Sequence, residues 1–210
     1  MLNGVLDCGI TLIDTAPAYG VSEERIGKYI SHRRDEYLLC SKVGECVDGS
    51  FDFSCDGMAA SVEQSLKTLK TDYLDYLLIH APPDDLSVLT ESDAVSFMCE
   101  AKQKGLAKFI GFSGKTIEAQ LQAIEWSDVM MIEYSLAHQT QEEVILASHE
   151  SNTTVLAKKT LNSGHLPPQD AIHFLLCDSP AAGSIDSIVI GSKSLPRMEE
   201  NQQLFTTLEP

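Results

Sequence analysis

Short, nearly continuous apolar runs recur along the chain, separated by longer stretches in which apolar residues return at helical spacing. The runs are Ile10 to Asp14, Tyr37 to Lys42, Leu74 to His80, Lys108 to Ser113, Val129 to Tyr134, Thr153 to Lys158 and Ser187 to Gly191. Rich in aliphatic and β-branched residues, they predict strands buried on both faces. Between them, Ser22 opens a helix with Glu23 and Glu24 in its first turn, and Ala59 to Leu69 sets Val62, Leu66 and Leu69 on one face. Further helices are predicted at Glu91 to Lys104, Thr116 to Glu125, Gln141 to Ser148, Pro168 to Cys177 and Pro196 to Phe205. This regular alternation predicts an α/β fold, a parallel (β/α)8 TIM-type barrel. It is complete or lacks one strand, since only seven runs are recognised. No Gly/Ser-rich or Pro-rich linker divides the chain, so residues 1–210 are expected to form one domain.

Composition narrows the function classes. Of 210 residues, 43% are hydrophobic and 22% charged, enough for one sizeable core. Lys and Arg total 15 against 31 Asp and Glu, and a net charge of −16 repels phosphate backbones and anionic headgroups, which argues against nucleic-acid and membrane partners. No apolar run approaches the roughly 20 residues needed to span a bilayer, and Met1 opens no signal segment, so a cytoplasmic protein is expected. The six cysteines form no C-x-x-C pair, and Cys8, Cys40 and Cys177 sit beside apolar residues as small hydrophobes would. Neither they nor the histidines, which form no His-x-His pair at a strand end, make a metal centre, and this weighs against a metal-dependent hydrolase.

In a parallel barrel, chemistry belongs at the strand C-termini. Polar residues end six of the runs: Asp14, Lys42, His80, Ser113, Glu133 and Lys158. Each alone has an ordinary structural explanation, a strand-end cap, a surface charge or a satisfied core histidine. Their convergence on one rim exceeds what folding requires.

The segment Asp14-Thr15-Ala16-Pro17-Ala18-Tyr19-Gly20, followed by Ser22-Glu23-Glu24-Arg25-Ile26-Gly27, resembles the signature of the aldo-keto reductases. Ser41-Lys42-Val43, Asp72 to His80 and Gly105 to Gly114 resemble that family's lysine strand, histidine strand and Gly-Lys-x-x-x-Ile-Gly-x-Ser-Asn segment in the same order. The resemblance implies reduction of a small-molecule aldehyde or ketone by NADPH, with Asp14, Tyr19, Lys42 and His80 catalytic. It further implies that Ser113 and Glu133 hold the nicotinamide carboxamide. Gly191, Ser192, Lys193 and Arg197 would hold the 2′-phosphate, and Glu200 and Asn201 would read the adenine.

The chemistry has its own logic. Hydride addition leaves an alkoxide that needs a proton, and Tyr19 is the candidate acid. A Lys42 ammonium is expected to pull the phenol pKa down from about 10, Asp14 to hold Lys42, and His80 to orient the carbonyl. Lys193 and Arg197 open a helix, where cations and free N–H groups together suit an anion.

Departures from the family pattern fall into three groups. The chain starts inside what resembles the family's first helix, without the first barrel strand. Gly114 replaces an Asn, and Glu133 replaces a Gln. The cofactor-covering loop after Gly164 is short, and no aromatic residue to stack on nicotinamide stands near Lys158. They support an alternative in which the fold persists as a weakly active or inactive binding or regulatory protein. The loop from Gly44 to Asp56, with Phe51 and Phe53, is either a pocket wall or a short hairpin. Neither the physiological substrate nor the oligomeric state is read from the sequence.

Overall fold

Strand alternation decides which side chains share a layer. The computed structural model describes residues 1–208, and in it seven parallel strands run in sequence order: β1 (Leu12–Asp14), β2 (Leu38–Val43), β3 (Leu74–His80), β4 (Ala107–Ser113), β5 (Val129–Glu133), β6 (Thr154–Lys158) and β7 (Ser187–Ile188). Their outward residues, among them Leu39, Val43, Leu77, Ile79, Ile110, Phe112, Met130, Ile132 and Val155, join the main core beneath the helices. Their inward residues make a second, smaller cluster of Cys40, Leu78, Val129, Met131 and Leu156, with Leu12, Tyr76 and Val189 against it. A period of two from Leu12, Cys40, Leu78, Val129 and Leu156 lands on Asp14, Lys42, His80, Met131 then Glu133, and Lys158. The rim residues are therefore the last inward positions of their strands.

The helices are α1 (Leu2–Asp7), α2 (Ser22–Tyr29), α3 (Cys55–Leu69), α4 (Asp85–Glu91), α5 (Ala94–Gln103), α6 (Ile117–Ala123), α7 (Glu142–Glu150), α8 (Pro168–His173) and α9 (Leu195–Leu208). Helix α3 starts where Ser54 accepts from the Gly57 N–H, and it stops at Lys70, whose φ of 59° is left-handed. Helix α6 starts likewise at Thr116, whose side chain accepts from the Ala119 N–H. The sheet curls around the inner cluster with β1 and β7 as its edges, and α1 packs on α9, where Gly4 meets Leu195. Close strand approach has one strict requirement: a Cβ on Gly111 would collide with the Val129 carbonyl oxygen, so β4 and β5 pack this tightly only with glycine there.

Several boundaries differ from the sequence expectation. The helix predicted over Glu91 to Lys104 breaks at Ser92, whose hydroxyl donates to the Val88 carbonyl and accepts from the Ala94 N–H, ending one helix and starting the next. Strand β7 is shorter than Ser187 to Gly191. Pro168 to Cys177 is α8 followed by a π-helical turn, Phe174–Asp178. Cys177 is exposed, because that turn rotates it out of the core, whereas Cys40 is buried and Cys8 half-buried. The Gly44 to Asp56 loop carries an antiparallel Glu45–Phe51 bridge, the hairpin of the two options. Its Phe51 and Phe53 rings stack 6.1 Å apart, away from the rim cavity described below. Among the described residues no helix is long and apolar enough to cross a membrane.

Candidate active site

The centre of the rim is an ion pair. Lys42, 2% exposed, is carried by β2 into the barrel mouth, where its Nζ lies 2.5 Å from Asp14 Oδ1 and donates to the Thr15 carbonyl at 2.9 Å. The same ammonium sits 4.7 Å from the centroid of the Tyr19 ring. Tyr19 in turn meets the His80 ring edge to face, centroids 5.9 Å apart. Behind Lys42, the buried Glu23 at the start of α2 accepts from Ser41 Oγ at 2.7 Å and fixes the loop bearing Tyr19 between β1 and α2.

Burial by itself would lower the Lys42 pKa, but Asp14, with Cys40 and Tyr19 adding to it, more than reverses that, and the ammonium is held above its usual range. Tyr19 corrects an expectation. Lys42 does favour its phenolate, yet burial is the larger influence and Asp14 opposes Lys42, so the phenol pKa is raised. With 44% of the residue exposed the rise is modest in consequence, and its direction leaves the phenol protonated at neutral pH. His80 goes the other way: burial, then the charges of Lys42, Lys158 and Lys115, push its pKa down to about 3, so the ring is neutral. Its Nδ1 is 2.6 Å from Glu45 Oε2, delivered by the hairpin, but the carboxylate lies off the N–H direction and makes no hydrogen bond. Burial and the three lysines favour the neutral imidazole, against the opposing pull of the Glu45 carboxylate.

Across the mouth, Ser113 is buried and its Oγ accepts from Lys158 Nζ at 2.8 Å, while Glu133 Oε2 pairs with Lys159 at 2.6 Å. Lys158 ends β6, as Lys42 is the last inward position of β2, and a charge closing an apolar run was the signal that marked it. The sequence gives no indication that it would occupy Ser113. Between these two walls lies a cavity of about 820 Å³, lined by Asp14, Tyr19, His80, Glu133 and Lys158 and extending to Gly191, Ser192, Asn201 and Gln202 beside α9. Of the residues expected near the adenosine, Gly191, Ser192 and Asn201 thus border the cavity, whereas Lys193, Arg197 and Glu200 are exposed outside its lining.

This donor set suits a dinucleotide. Lys193 and Arg197 form no ion pair among the described residues, they flank the first turn of α9, and a Cβ on Gly191 would meet nothing within 4 Å, leaving the backbone there open to a ligand. The carboxamide side suits it less well, because Glu133 cannot donate while ionised and Gly114 brings no side chain. Among the described residues no cluster of three His, Cys, Asp or Glu is placed to hold a metal ion.

A solved aldo-keto reductase structure from Pseudomonas aeruginosa superposes with a TM-score of 0.90 at 36% identity, covering 99% of this chain and 78% of that one. The aldo-keto reductase YhdN of Bacillus subtilis is 36% identical over 166 residues, 74% of this chain and 49% of its own length. The D-threo-aldose 1-dehydrogenase of a Pseudomonas species is 28% identical over 197 residues, 79% of this chain and 60% of its own. The chain thus spans about half the length of the curated relatives it matches. With the model of the aldo/keto reductase family matching residues 1–174, the chain belongs to that family.

Proposed function

We propose that this protein reduces an aldehyde or ketone to the alcohol with NADPH, using Asp14, Tyr19, Lys42 and His80 as its catalytic group. The observation that carries this is the shared cavity wall on which a carboxylate-held Lys42 ammonium lies against the Tyr19 ring and Tyr19 against a neutral His80. NADPH bound in the cavity would supply the hydride. Tyr19 gives its proton to the carbonyl oxygen as negative charge develops there, and its raised pKa keeps that proton in place at neutral pH until it is needed. Lys42, kept cationic by Asp14, stabilises the phenolate left behind. His80, neutral, donates an N–H to the same oxygen and orients the carbonyl.

For the cofactor, Ser113 and Glu133 would face the carboxamide, Gly191, Ser192, Lys193 and Arg197 the 2′-phosphate, and Glu200 and Asn201 the adenine. Relatives named as sugar 1-dehydrogenases support alcohol–carbonyl redox chemistry and make aldoses part of the substrate panel. Six unpaired thiols suit a reducing, cytoplasmic setting. A second reading, a family member kept for binding or regulation, is favoured by one observation: Lys158 and Lys159 already engage Ser113 and Glu133. NADPH oxidation with a panel of aldehydes, ketones and aldoses decides between them. Tyr19→Phe should retain fold and NADPH binding while losing about 10² to 10⁴ in turnover. Wild-type binding of NADPH with no turnover would establish the second reading, whereas a fully active Tyr19→Phe would remove Tyr19 as the general acid.

A further inference from the structure

Lys158 is not needed for the chemistry above, and its surroundings are unusual. It ends β6 inside the barrel mouth, and the groups around it come from the ends of the other strands around that mouth: Asp14 from β1, Lys42 from β2, His80 from β3, Lys115 after β4, Glu133 from β5 and the adjacent Lys159. The two carboxylates are already engaged, Asp14 by Lys42 and Glu133 by Lys159. Its one hydrogen-bond acceptor is the neutral Ser113 hydroxyl, 2.8 Å away. The consequence is a desolvated ammonium facing the cavity without a counter-ion of its own. Burial is the main reason that its pKa falls to about 8, with Lys42 adding to the effect, so below that pH it carries its charge at a cost.

Lys158 also lies between the two residues proposed for the carboxamide: it donates to Ser113, and its Cα is the register partner of Glu133. A ring donating hydride to a carbonyl held by Tyr19 and His80 must enter this same cavity. In its reduced form that ring is uncharged, and in its oxidised form it bears a formal positive charge. The phosphates, riboses and adenine are common to both forms, so the ring charge is the term on which they differ here.

We infer that Lys158 acts as a redox-state selector, a fixed cation that admits the neutral reduced cofactor and disfavours the cationic oxidised one. The hydride leaves the dihydronicotinamide for the carbonyl carbon and the Tyr19 proton goes to the carbonyl oxygen, giving alcohol and a newly cationic ring. The charge created by the reaction then faces Lys158, which favours release of the oxidised cofactor and shifts the equilibrium of the bound species back toward reduced cofactor and carbonyl. The inference rests on the cofactor reading of the preceding subsection.

The test is equilibrium binding of NADPH and NADP⁺ to wild type, Lys158→Met and Lys158→Arg, by calorimetry or quenching of intrinsic fluorescence, without substrate. At about pH 6.5, wild type and Lys158→Arg should bind NADPH the more tightly, and Lys158→Met should reduce the ratio of the two dissociation constants by about tenfold or more, mainly by improving NADP⁺ binding. At about pH 9 the wild-type ratio should move toward that of Lys158→Met as the ammonium titrates. An unchanged ratio in Lys158→Met overturns the inference while leaving NADPH dependence intact. Equal loss of both ligands also overturns it, by showing that Lys158 grips a phosphate shared by the two. Failure of all three proteins to bind either ligand overturns the inference and the cofactor reading together.

Discussion

Replacing Lys158 by Met should make the folded protein more stable at neutral pH. Folding takes the ammonium from water, where its pKa is 10.5, to a site where it is about 8. A difference of that size corresponds to about 3 kcal/mol of penalty for the charged form, trimmed because the cavity still gives the side chain some solvent. Met fills a similar volume without charge, but it gives up the charge-assisted bond to Ser113 Oγ, a loss of about 1.5 kcal/mol, and leaves that hydroxyl without its donor. The net gain is about 1 to 2 kcal/mol, or roughly 2–8 °C in Tm for a chain of this size. The sign of the pH dependence follows from the depressed pKa of a basic group. The wild-type penalty is complete below about pH 8 and disappears as the unfolded chain also deprotonates near 10.5, so the advantage of Lys158→Met must shrink as pH rises across that window. Urea denaturation of both proteins at several pH values between about 6.5 and 10 measures it. A variant less stable than wild type at neutral pH, by a margin that does not change with pH, would refute the picture of an uncompensated ammonium.

Two further predictions concern other parts of the molecule. Lys193→Ala/Arg197→Ala should weaken NADPH by several-fold or more and leave NADH nearly unchanged, since each charge-assisted contact contributes about 1.5–3 kcal/mol only when a 2′-phosphate is present; equal losses for both would remove these residues from phosphate binding. At the opposite end of the barrel, Asp75 accepts from the Leu39 N–H, Lys108 and Arg34, which together outweigh its burial and hold its pKa low. A depressed carboxylate stabilises the fold above its unfolded pKa and loses that contribution as pH falls through the folded value. Asp75→Asn should therefore cost about 3 kcal/mol at neutral pH and flatten the acid limb of a stability-against-pH curve. Parallel curves for the two proteins would sink the assignment.

How far the sequence carries can be judged residue by residue. The strand ends Asp14, Lys42, His80, Ser113 and Glu133 were legible because a parallel strand buried on both faces is almost wholly apolar, which makes a closing polar residue conspicuous. Their common inward orientation then follows from strand alternation once the inner cluster is known. The break at Ser92 was hidden because apolar spacing continues through it, and only a local side-chain bond to the Val88 carbonyl interrupts the helix. Gly44 to Asp56 was ambiguous because alternating Phe and Asp suit a pocket wall as well as a hairpin. The choice is made by the Glu45–Phe51 backbone bridge, a pairing that the alternation alone does not specify.

Electrostatics was the least legible layer, for a physical reason. The family resemblance implies that Lys42 and Tyr19 are neighbours, and from that alone a lowered phenol pKa follows. The realised direction is set by a sum in which burial outweighs the Lys42 charge and Asp14 opposes it. The same argument explains Lys158. Lys42 and Lys158 look alike in sequence, each a lysine closing an apolar strand, yet one is held above its usual pKa range and the other well below it. What separates them is whether a carboxylate stands within contact distance: Asp14 does so for Lys42, while Lys158 meets only a hydroxyl. In a barrel mouth with more ammonium groups than free carboxylates, that one difference makes Lys42 a support for a developing phenolate and leaves Lys158 as an uncompensated charge, available to discriminate between ligands by theirs.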